Sequence, residues 1–342
     1  MDIKEVKKNA REKMKGFCNV CNECNGIWCA GKVPGMGGCG TGDSFKRNYN
    51  KLKRIRLILK TIHSAKNPNL ETSLWGEKLS FPGIVAPITG ASYNFGNAVN
   101  EEEYANNIIN GAIDAGTIGM VGDGGDPTYL ELGLKAIKKA GGKGVAIIKP
   151  RDNEEIIKRI KIAEEAGAIA VGIDIDGAGL LTMALYNQPV GPKSFKDLKT
   201  LVDSTDLPFI VKGILSVEEA KLCQKAGVDT IVVSNHGGRI LDDTLAPCEV
   251  LNEIVREVGY KVNILVDGAA RNGGDILKYL ALGAKGVLIG RPIIWGSVGG
   301  GQEGVKIILE QFKNELYKNM ILTGCEETTN ISPRIIHEFI LE

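Results

Sequence analysis

From residue 81 onward, short apolar runs rich in Val and Ile alternate with stretches that have the periodicity of amphipathic helices. Each run has the length of a buried strand and ends in glycine or a polar residue. The eight runs cover residues 83–89, 117–122, 144–149, 170–176, 208–213, 230–234, 263–267 and 286–290. Eight strand–helix units predict an α/β fold in which a parallel sheet closes into a (β/α)8 TIM barrel.

The helices between these runs have recognisable ends. Asp152 precedes one amphipathic run, and Ser216 with Glu219 has the spacing of a capping box. Gly167 and Gly227 follow helical runs, where glycine suits a left-handed cap. An open doubly wound sheet is the alternative, but it rarely needs eight evenly spaced units, and no G-x-G-x-x-G follows the first strand.

The first 80 residues differ in texture from the rest of the chain. They hold five of the eight cysteines and many glycines, and they show no strand–helix alternation. We therefore expect two units: a cysteine-rich N-terminal segment over residues 1–80, which packs on or covers the barrel, and a barrel with a C-terminal helix over residues 81–342.

Composition narrows the range of partners. The 342 residues include 42 basic and 41 acidic side chains, so the charge balance gives no indication of binding to nucleic acid or to an acidic membrane surface. With 43% hydrophobic residues the chain can bury a large core, yet no apolar run approaches the roughly 20 residues that span a bilayer. The N-terminus lacks the apolar segment of a signal peptide, and we expect a cytoplasmic protein.

Charged and polar residues recur where the predicted strands end. In a barrel of this type the chemistry lies at the carboxyl ends of the strands, so these side chains are expected to share one site. They are Asp176, Lys212, His236, Arg239, Asp267, Arg271 and Arg291.

The most informative segment is Ser-Asn-His-Gly-Gly-Arg at residues 234–239. It presents the imidazole of His236 and the guanidinium of Arg239 three residues apart, with two glycines that allow a tight turn between them. A base beside a fixed cation is suited to deprotonating an anionic molecule.

The ends of the last two strands combine glycine with arginine, as Gly268 with Arg271 and Gly290 with Arg291. Barrels commonly bind phosphate at this pair of loops, so we predict a phosphate site here. Lys212 needs a negative partner at the barrel mouth. A reduced flavin and an ion pair with Asp174 or Asp176 are both compatible with the sequence.

Four segments together resemble a known family: residues 207–214, 234–239, 266–271 and 281–292. They are similar to the FMN-dependent α-hydroxy acid oxidases and dehydrogenases, which include glycolate oxidase and flavin-linked lactate dehydrogenase. The resemblance covers residues 81–300 and implies a 2-hydroxy acid substrate, a separate electron acceptor and a homotetramer.

The resemblance also implies residue roles. His236 is the expected base, Arg239 the carboxylate anchor, and Asp176 the carboxylate that orients the histidine. Lys212 supports the pyrimidine edge of the flavin. The expected FMN-binding residues are Pro87, Ile88, Thr89, Gly122, Lys212, Ser234, Asp267, Gly268, Arg271, Gly290 and Arg291.

The sequence departs from the family at several positions. A Gln-x-Tyr pair is expected after the third strand, where residues 146–150 read Ala-Ile-Ile-Lys-Pro, and Asp174 stands where a threonine is usual. Ile240 replaces a glutamine, and neither the second carboxylate-binding arginine nor the N-terminal substrate tyrosine is evident. The flavin chemistry is therefore better defined than the substrate. Type 2 isopentenyl diphosphate isomerase and a non-catalytic FMN-binding redox sensor remain as alternatives.

Cys18, Cys21, Cys24 and Cys29 form a C-x2-C-x2-C-x4-C pattern. Disulfides are rare in cytosolic proteins, and this close spacing is more typical of an iron–sulfur cluster than of zinc. A [4Fe–4S] cluster would let electrons leave a flavin one at a time. Zinc, and free thiols in a loop that covers the barrel mouth, are the other interpretations.

Overall fold

The computed structural model of the chain describes residues 1–32 and 34–338. Residues 14–32 form turns and irregular loops without a helix or strand. The other elements of the first 80 residues are α1 (Ile3–Lys13), α2 (Pro34–Gly37), α3 (Asp43–Arg54), β1 (Ile55–Leu57), β2 (Thr72–Leu74) and β3 (Glu77–Leu79). β2 and β3 form an antiparallel hairpin.

Eight parallel strands follow within the described part of the chain. They are β4 (Gly83–Val85), β5 (Met120–Gly122), β6 (Val145–Ile148), β7 (Ala170–Asp174), β8 (Phe209–Ile214), β9 (Thr230–Val233), β10 (Asn263–Val266) and β11 (Gly286–Ile289). Consecutive strands pair from β5 to β11, and β11 pairs with β4. A bridge between Val85 and Gly119 brings β4 to the start of β5. The predicted barrel is confirmed, and the open sheet is excluded.

Helices connect the strands on the outside. They are α4 (Ala91–Phe95), α5 (Glu101–Asp114), α6 (Thr128–Lys139), α7 (Asn153–Glu165), α8 (Leu181–Leu185), α9 (Phe195–Val202), α10 (Val217–Ala226), α11 (Pro247–Val258), α12 (Gly273–Ala281) and α13 (Arg291–Thr323). A 3-10 turn (Ile175–Gly179) precedes α8, and another (Pro333–Ile335) leads to β12 (Ile336–Glu338), which pairs with β1. Residues 339–342 of the predicted second unit lie outside the described residues.

The predicted helix ends are present, with one correction. The Asp152 carboxylate accepts a 2.8 Å hydrogen bond from the Glu155 amide, and Gly227 ends α10 at a φ of 87°. Ser216 accepts from the amide of Glu219, but the Glu219 carboxylate contacts the Ser216 hydroxyl at 3.4 Å and not its amide. The predicted capping box is therefore only half formed.

Strand side chains alternate between two apolar layers. Ile84, Ile210 and Leu288 point into the barrel interior, while neighbours such as Val85 and Ile289 pack against the helices outside. Leu74 and Leu79 of the β2–β3 hairpin join the interior layer and close the amino-terminal end of the barrel. Six of the eight strands end one to four residues earlier than predicted, because the polar residues that follow them turn over the carboxyl-terminal mouth. β5 ends at the predicted residue, and β8 ends one residue later.

No helix among the described residues is both long enough and apolar enough to cross a membrane.

Candidate active site

A cavity with about 670 Å³ of space, part of it open to solvent, lies at the carboxyl-terminal mouth of the barrel. Its wall is built by the ends of several strands together with residues of the N-terminal segment. Ten of the predicted site residues line it: Pro87, Ile88, Lys212, His236, Arg239, Asp267, Gly268, Arg271, Gly290 and Arg291. Six of the seven residues predicted at the strand ends therefore face one space, and Asp176 does not line it.

His236 is held by a hydrogen bond on one ring nitrogen. Its Nδ1 lies 3.0 Å from Oδ1 of Asp176, and its backbone amide donates to the Ser234 hydroxyl at 2.9 Å. The residue adopts a left-handed φ of 58°, which turns the side chain toward the cavity at the end of β9. An Nδ1–H donated to Asp176 leaves the lone pair of Nε2 available to accept a proton.

A buried charge network surrounds this imidazole. The carboxylate of Asp174 accepts hydrogen bonds from the ammonium groups of Lys149 at 2.6 Å and Lys212 at 3.2 Å. Its Oδ1 lies 3.6 Å from Nδ1 of His236. Burial alone would raise the pKa of Asp174, but His236 and the two lysines hold that pKa well below its usual value. Asp174 is therefore a fixed negative charge beside the histidine.

The pKa of His236 results from opposing influences. Burial lowers this pKa below its usual value, and the two lysines act in the same direction. The carboxylates of Asp174 and Asp176 oppose the shift without overcoming it. The imidazole is consequently neutral at pH 7 and is flanked by carboxylates that stabilise it once it gains a proton.

Lys212 forms an ion pair with Asp174, one of the two carboxylates that the sequence allowed as its partner. Besides Asp174, its ammonium contacts the Ser234 hydroxyl at 3.3 Å and Asp267 at 3.6 Å. Burial alone would lower the pKa of Lys212, but these carboxylates raise it. The charged lysine still lines the cavity, so the ion pair and a contact with a ligand are compatible.

Arg239 is half-buried and only partly paired. Its Nη2 donates to Oδ1 of Asn94 at 3.2 Å, while its buried Nε has no hydrogen-bond partner among the described residues. Burial lowers the pKa of this guanidinium. A cation with an open donor that lines a cavity is suited to binding an anion such as a carboxylate.

Arg271 and Arg291 line the same cavity. The Arg291 guanidinium stacks on the ring of Phe45 at 3.8 Å and donates to the Met36 carbonyl at 2.8 Å. Burial and the neighbouring Arg271 lower the pKa of Arg291 to about 10. Arg291 is buried and Arg271 is half-buried, with an Nη2 that has no partner among the described residues, so the two adjacent cations are suited to binding an anion.

These open donors and acceptors fit a flavin mononucleotide. Arg271 and Arg291 suit its phosphate, and Gly268 with a φ of 100° brings backbone to the same end of the cavity. The buried Oδ1 of Asp267 lacks a partner among the described residues and suits a ribityl hydroxyl.

Four of the predicted residues do not line the cavity. Asp176 lies behind His236, and Ser234 lies beneath the cavity, where its hydroxyl donates to Asp267 at 2.8 Å. Gly122 lies against Pro87 and Thr89. A side chain at Gly122 would meet the Pro87 carbonyl at 3.1 Å and the Thr89 methyl at 3.2 Å. Ser234 and Asp176 support other side chains, and Gly122 leaves room for the loop after β4.

Sequence reasoning missed several residues. Asn94 on α4 lines the cavity and contacts Arg239, and an asparagine on a helix directly after the first strand was the only available signal. Tyr93, Tyr129 and Tyr186 form a cluster with ring centroids 6.2–6.3 Å from Tyr93. Burial raises the pKa of Tyr93 and the nearby Arg239 opposes that rise, which places this cluster next to the anion site.

The N-terminal segment lies directly on the loop that carries His236 and Arg239. The amide of Cys39 donates to the Gly238 carbonyl at 2.9 Å. Gly238 has a φ of 79°, and a side chain there would meet the Phe45 amide nitrogen at 2.5 Å. Asp242 in the same loop accepts bonds from the Thr41 hydroxyl at 2.8 Å and the Ser44 amide at 3.2 Å.

Cys18, Cys21, Cys24 and Cys29 all border a second, smaller cavity with about 310 Å³ of space, part of it open to solvent. All four are free thiols, and Cys18 is buried. Burial raises the pKa of Cys18 to about 11, and Cys24 and Cys29 are close enough to it to raise that pKa further. The four predicted metal ligands are thus brought together.

Comparison with known proteins shows the family to which the chain belongs. The chain matches the family described as FMN-dependent dehydrogenase over residues 35–188 and 181–338. It is 32% identical to 4-hydroxymandelate oxidase of Amycolatopsis orientalis over 85% of this chain and 88% of the relative. It is 32% identical to 2-hydroxyacid oxidase 2 of Bos taurus (84% and 88% covered) and 30% identical to L-lactate oxidase of a Nostoc species (87% and 91% covered).

Solved structures of mandelate oxidase share the fold. One superposes with a TM-score of 0.81 at 27% identity, covering 99% of this chain and 98% of the other. Mandelate oxidase with benzoyl-formic acid gives a TM-score of 0.79 at 28% identity, covering 99% of this chain and 98% of the other.

Proposed function

This chain belongs to the FMN-dependent dehydrogenase family, and from that premise we propose that it oxidises a 2-hydroxy carboxylic acid to the 2-oxo acid with His236 as the base and Arg239 as the carboxylate anchor. The general reaction, oxidation of a 2-hydroxy acid by an FMN-dependent enzyme, follows from the relatives. The assignment of roles to individual residues is our proposal.

The base is Nε2 of His236. The reaction removes two electrons and two protons from the substrate, and His236 takes one of these protons. Because Nδ1 is bonded to Asp176 at 3.0 Å, the proton arrives at Nε2 and the resulting imidazolium is stabilised by Asp176 and Asp174. The low pKa of His236 keeps it ready to accept that proton at neutral pH.

Arg239 holds the substrate carboxylate. Its Nε is free to donate and its Nη2 is positioned by Asn94 at 3.2 Å, so the guanidinium plane is fixed before the substrate arrives. Fixing the carboxylate also fixes the neighbouring α-carbon relative to His236 three residues away, which lowers the entropic cost of the reaction.

FMN is held by residues of the same cavity. Arg271 and Arg291 bind the phosphate, Asp267 binds a ribityl hydroxyl, and Lys212 supports the pyrimidine edge. When bound, the flavin supplies the two-electron acceptor that the substrate requires. The observation that carries this proposal is that His236 and Arg239 share one cavity with Arg271 and Arg291.

Anaerobic mixing of the FMN-loaded protein with a panel of 2-hydroxy acids tests the function. The panel includes lactate, glycolate, mandelate and 4-hydroxymandelate, and each is followed by the loss of flavin absorbance. We expect bleaching by at least one acid and formation of its 2-oxo acid. Each bleached sample is then compared with the same protein treated with dithionite. Protein that dithionite bleaches but no acid does contradicts the proposed reaction.

A matched variant tests the anchor. Arg239→Lys keeps the charge but loses the fork of donors, so we expect a rise in substrate KM of about 10–100-fold from the loss of charge-assisted hydrogen bonds. Lys143, which is exposed in the turn before β6, serves as the control as Lys143→Arg. An unchanged KM in Arg239→Lys removes the anchor role.

A further inference from the structure

Cys18, Cys21, Cys24 and Cys29 border a cavity to which the proposed reaction assigns no ligand. The cavity of about 310 Å³ is bordered by Cys18, Cys21, Cys24 and Cys29, and its other walls include Trp28 and Met36. The matched part of the family begins at residue 35, so these cysteines precede it. Nothing in the proposed reaction of the barrel requires them.

The distances between the cysteine sulfurs distinguish a single zinc ion from a four-iron cluster. A single zinc ion lies about 2.3 Å from each thiolate, which brings the sulfurs to about 3.8 Å from one another. Among the described residues, no three cysteine sulfurs lie within 4.8 Å of one another. A cube of four irons and four sulfides holds its thiolate ligands farther apart than one ion does.

We propose that Cys18, Cys21, Cys24 and Cys29 bind a [4Fe–4S] cluster in this cavity. The C-x2-C-x2-C spacing presents three thiols on a single turn-rich loop, and Cys29 completes the set from the next turn. A cluster of this kind is held by cysteine thiolates, and the lining of the cavity here is largely sulfur and carbon.

Hydrogen-bond donors are already directed at the sulfurs. The Val20 amide donates to Sγ of Cys18 at 3.4 Å, and the Asn19 side-chain amide lies 3.8 Å from Sγ of Cys21. The indole nitrogen of Trp295 is buried, interacts with the Cys18 thiol, and has no other partner among the described residues. Donors of this kind tune and stabilise thiolates bound to a metal.

The loop holds one of its residues, Val20, in a strained backbone conformation. Val20 has a φ of 43°, a left-handed conformation that is costly for a β-branched residue. Arg11 of α1 fixes this point by donating to the carbonyls of Asn19 at 2.9 Å and Val20 at 3.0 Å. Strain maintained beside a set of ligands is typical of a functional site.

The cluster cavity and the flavin cavity share a wall. Arg291 lines both spaces. Arg271 donates to the carbonyl of Cys24 at 3.3 Å, so both arginines that we assign to the flavin phosphate also contact the walls of the cysteine cavity. The site itself does not rest on the proposed reaction, because none of its ligands takes part in the oxidation of the hydroxy acid.

Purification of the full chain without air, after expression with added iron, tests the site. We expect about four irons and about four acid-labile sulfides per chain, with a paramagnetic signal after dithionite reduction. Protein that contains neither iron nor sulfide, or that binds zinc in their place, overturns the proposal. Flavin bleaching by a hydroxy acid is scored on the same sample, so the failure of either proposal is distinguishable from that of the other.

Single substitutions then locate the ligands. Cys24→Ser should lower the iron and sulfide content at least about ten-fold. Cys39→Ser is the matched control, because Cys39 is a half-buried thiol of the same segment that does not border the cavity. Far-UV circular dichroism confirms that both variants keep the barrel. Equal loss of iron in the two variants contradicts the assigned ligands.

Discussion

The barrel mouth and the cysteine loop, residues 14–32, position their functional side chains in different ways. At the mouth, each charged side chain follows a strand whose register is fixed by its neighbours, and the charges neutralise one another, as Lys149 and Lys212 do with Asp174. In residues 14–32 there is no strand or helix, and the loop is held by side-chain bonds to backbone carbonyls. Regular structure therefore positions the first site, whereas irregular loop contacts position the second.

The largest effect is expected at the centre of the mouth. His236→Ala removes the base, and flavin reduction by the hydroxy acid should slow by about 10²–10⁴-fold while FMN stays bound. Stopped-flow absorbance measures the rate, and Cys39→Ser from the cysteine-rich segment should react at the wild-type rate. Reduction of His236→Ala at the normal rate would remove the role of this histidine.

Breaking the buried ion pair between Lys149 and Asp174 tests how much it contributes to the free energy of unfolding. Lys149→Met leaves Asp174 with Lys212 as its remaining lysine partner, so we expect a loss of about 3 kcal/mol in the free energy of unfolding. Denaturant titration measures it. Lys149→Met combined with Asp174→Asn should recover part of this loss, because no unpaired charge remains. A double variant that is less stable than the sum of the singles argues against a direct pair.

The same two residues should move the pH dependence in opposite directions. His236 acts as a base when neutral, so kcat/KM rises with pH through its pKa. Asp174 raises that pKa and Lys149 lowers it. The acidic limb of the profile should therefore shift to lower pH in Asp174→Asn and to higher pH in Lys149→Met. A shift in the same direction for both variants would contradict the network.

A smaller effect is expected where the two regions meet. Arg291→Met removes a charge-assisted contact to the phosphate, and the Kd for FMN should rise by about 10–100-fold. Fluorescence quenching of free flavin measures it, and Arg256→Met, an exposed arginine of α11, is the control. Turnover of the flavin-loaded fraction should change less than the affinity. The reverse result would show that the phosphate lies elsewhere.

The smallest effect concerns how the N-terminal segment is attached. Burial alone would raise the pKa of Asp242, but bonds from Thr41 and Ser44 lower this pKa to about 2. A depressed pKa means that this attachment is present above the ordinary value near 3.8 and is lost as the pH falls toward 2. Asp242→Asn should cost about 1 kcal/mol of unfolding free energy at pH 7 and abolish this acid dependence. Proteolysis within residues 1–42 measures the attachment.

The fold could be predicted because its pattern repeats. Eight runs of apolar residues, each with a polar end, determine both the barrel and the edge at which its charges gather. The shared cavity of His236 and Arg291 follows from that register, although the two residues are 55 positions apart in the chain. The strand ends were less predictable, since the last polar residues belong equally to the strand and to the loop.

The supporting contacts could not be predicted in the same way. Asn94 reaches Arg239 only because α4 folds over the mouth, and nothing in the sequence near Asn94 indicates that. Asp174 was visible as a departure from the family, but its pairing with Lys149 depends on the spacing of β6 and β7. For the cysteines, residue type indicates that they meet, while the shape of their loop depends on contacts with α1 and α13.

Gly238 gives the chain's first residues a task beyond covering the barrel. Because a side chain at this position would collide with the backbone at Phe45, the loop behind the base and the anchor rests directly on the chain that begins at the N-terminus. A protein cut back to residues 81–342 would lack Cys39 and Phe45 and would leave the outer face of that loop bare on one side. Such a truncated version should therefore bind substrate poorly.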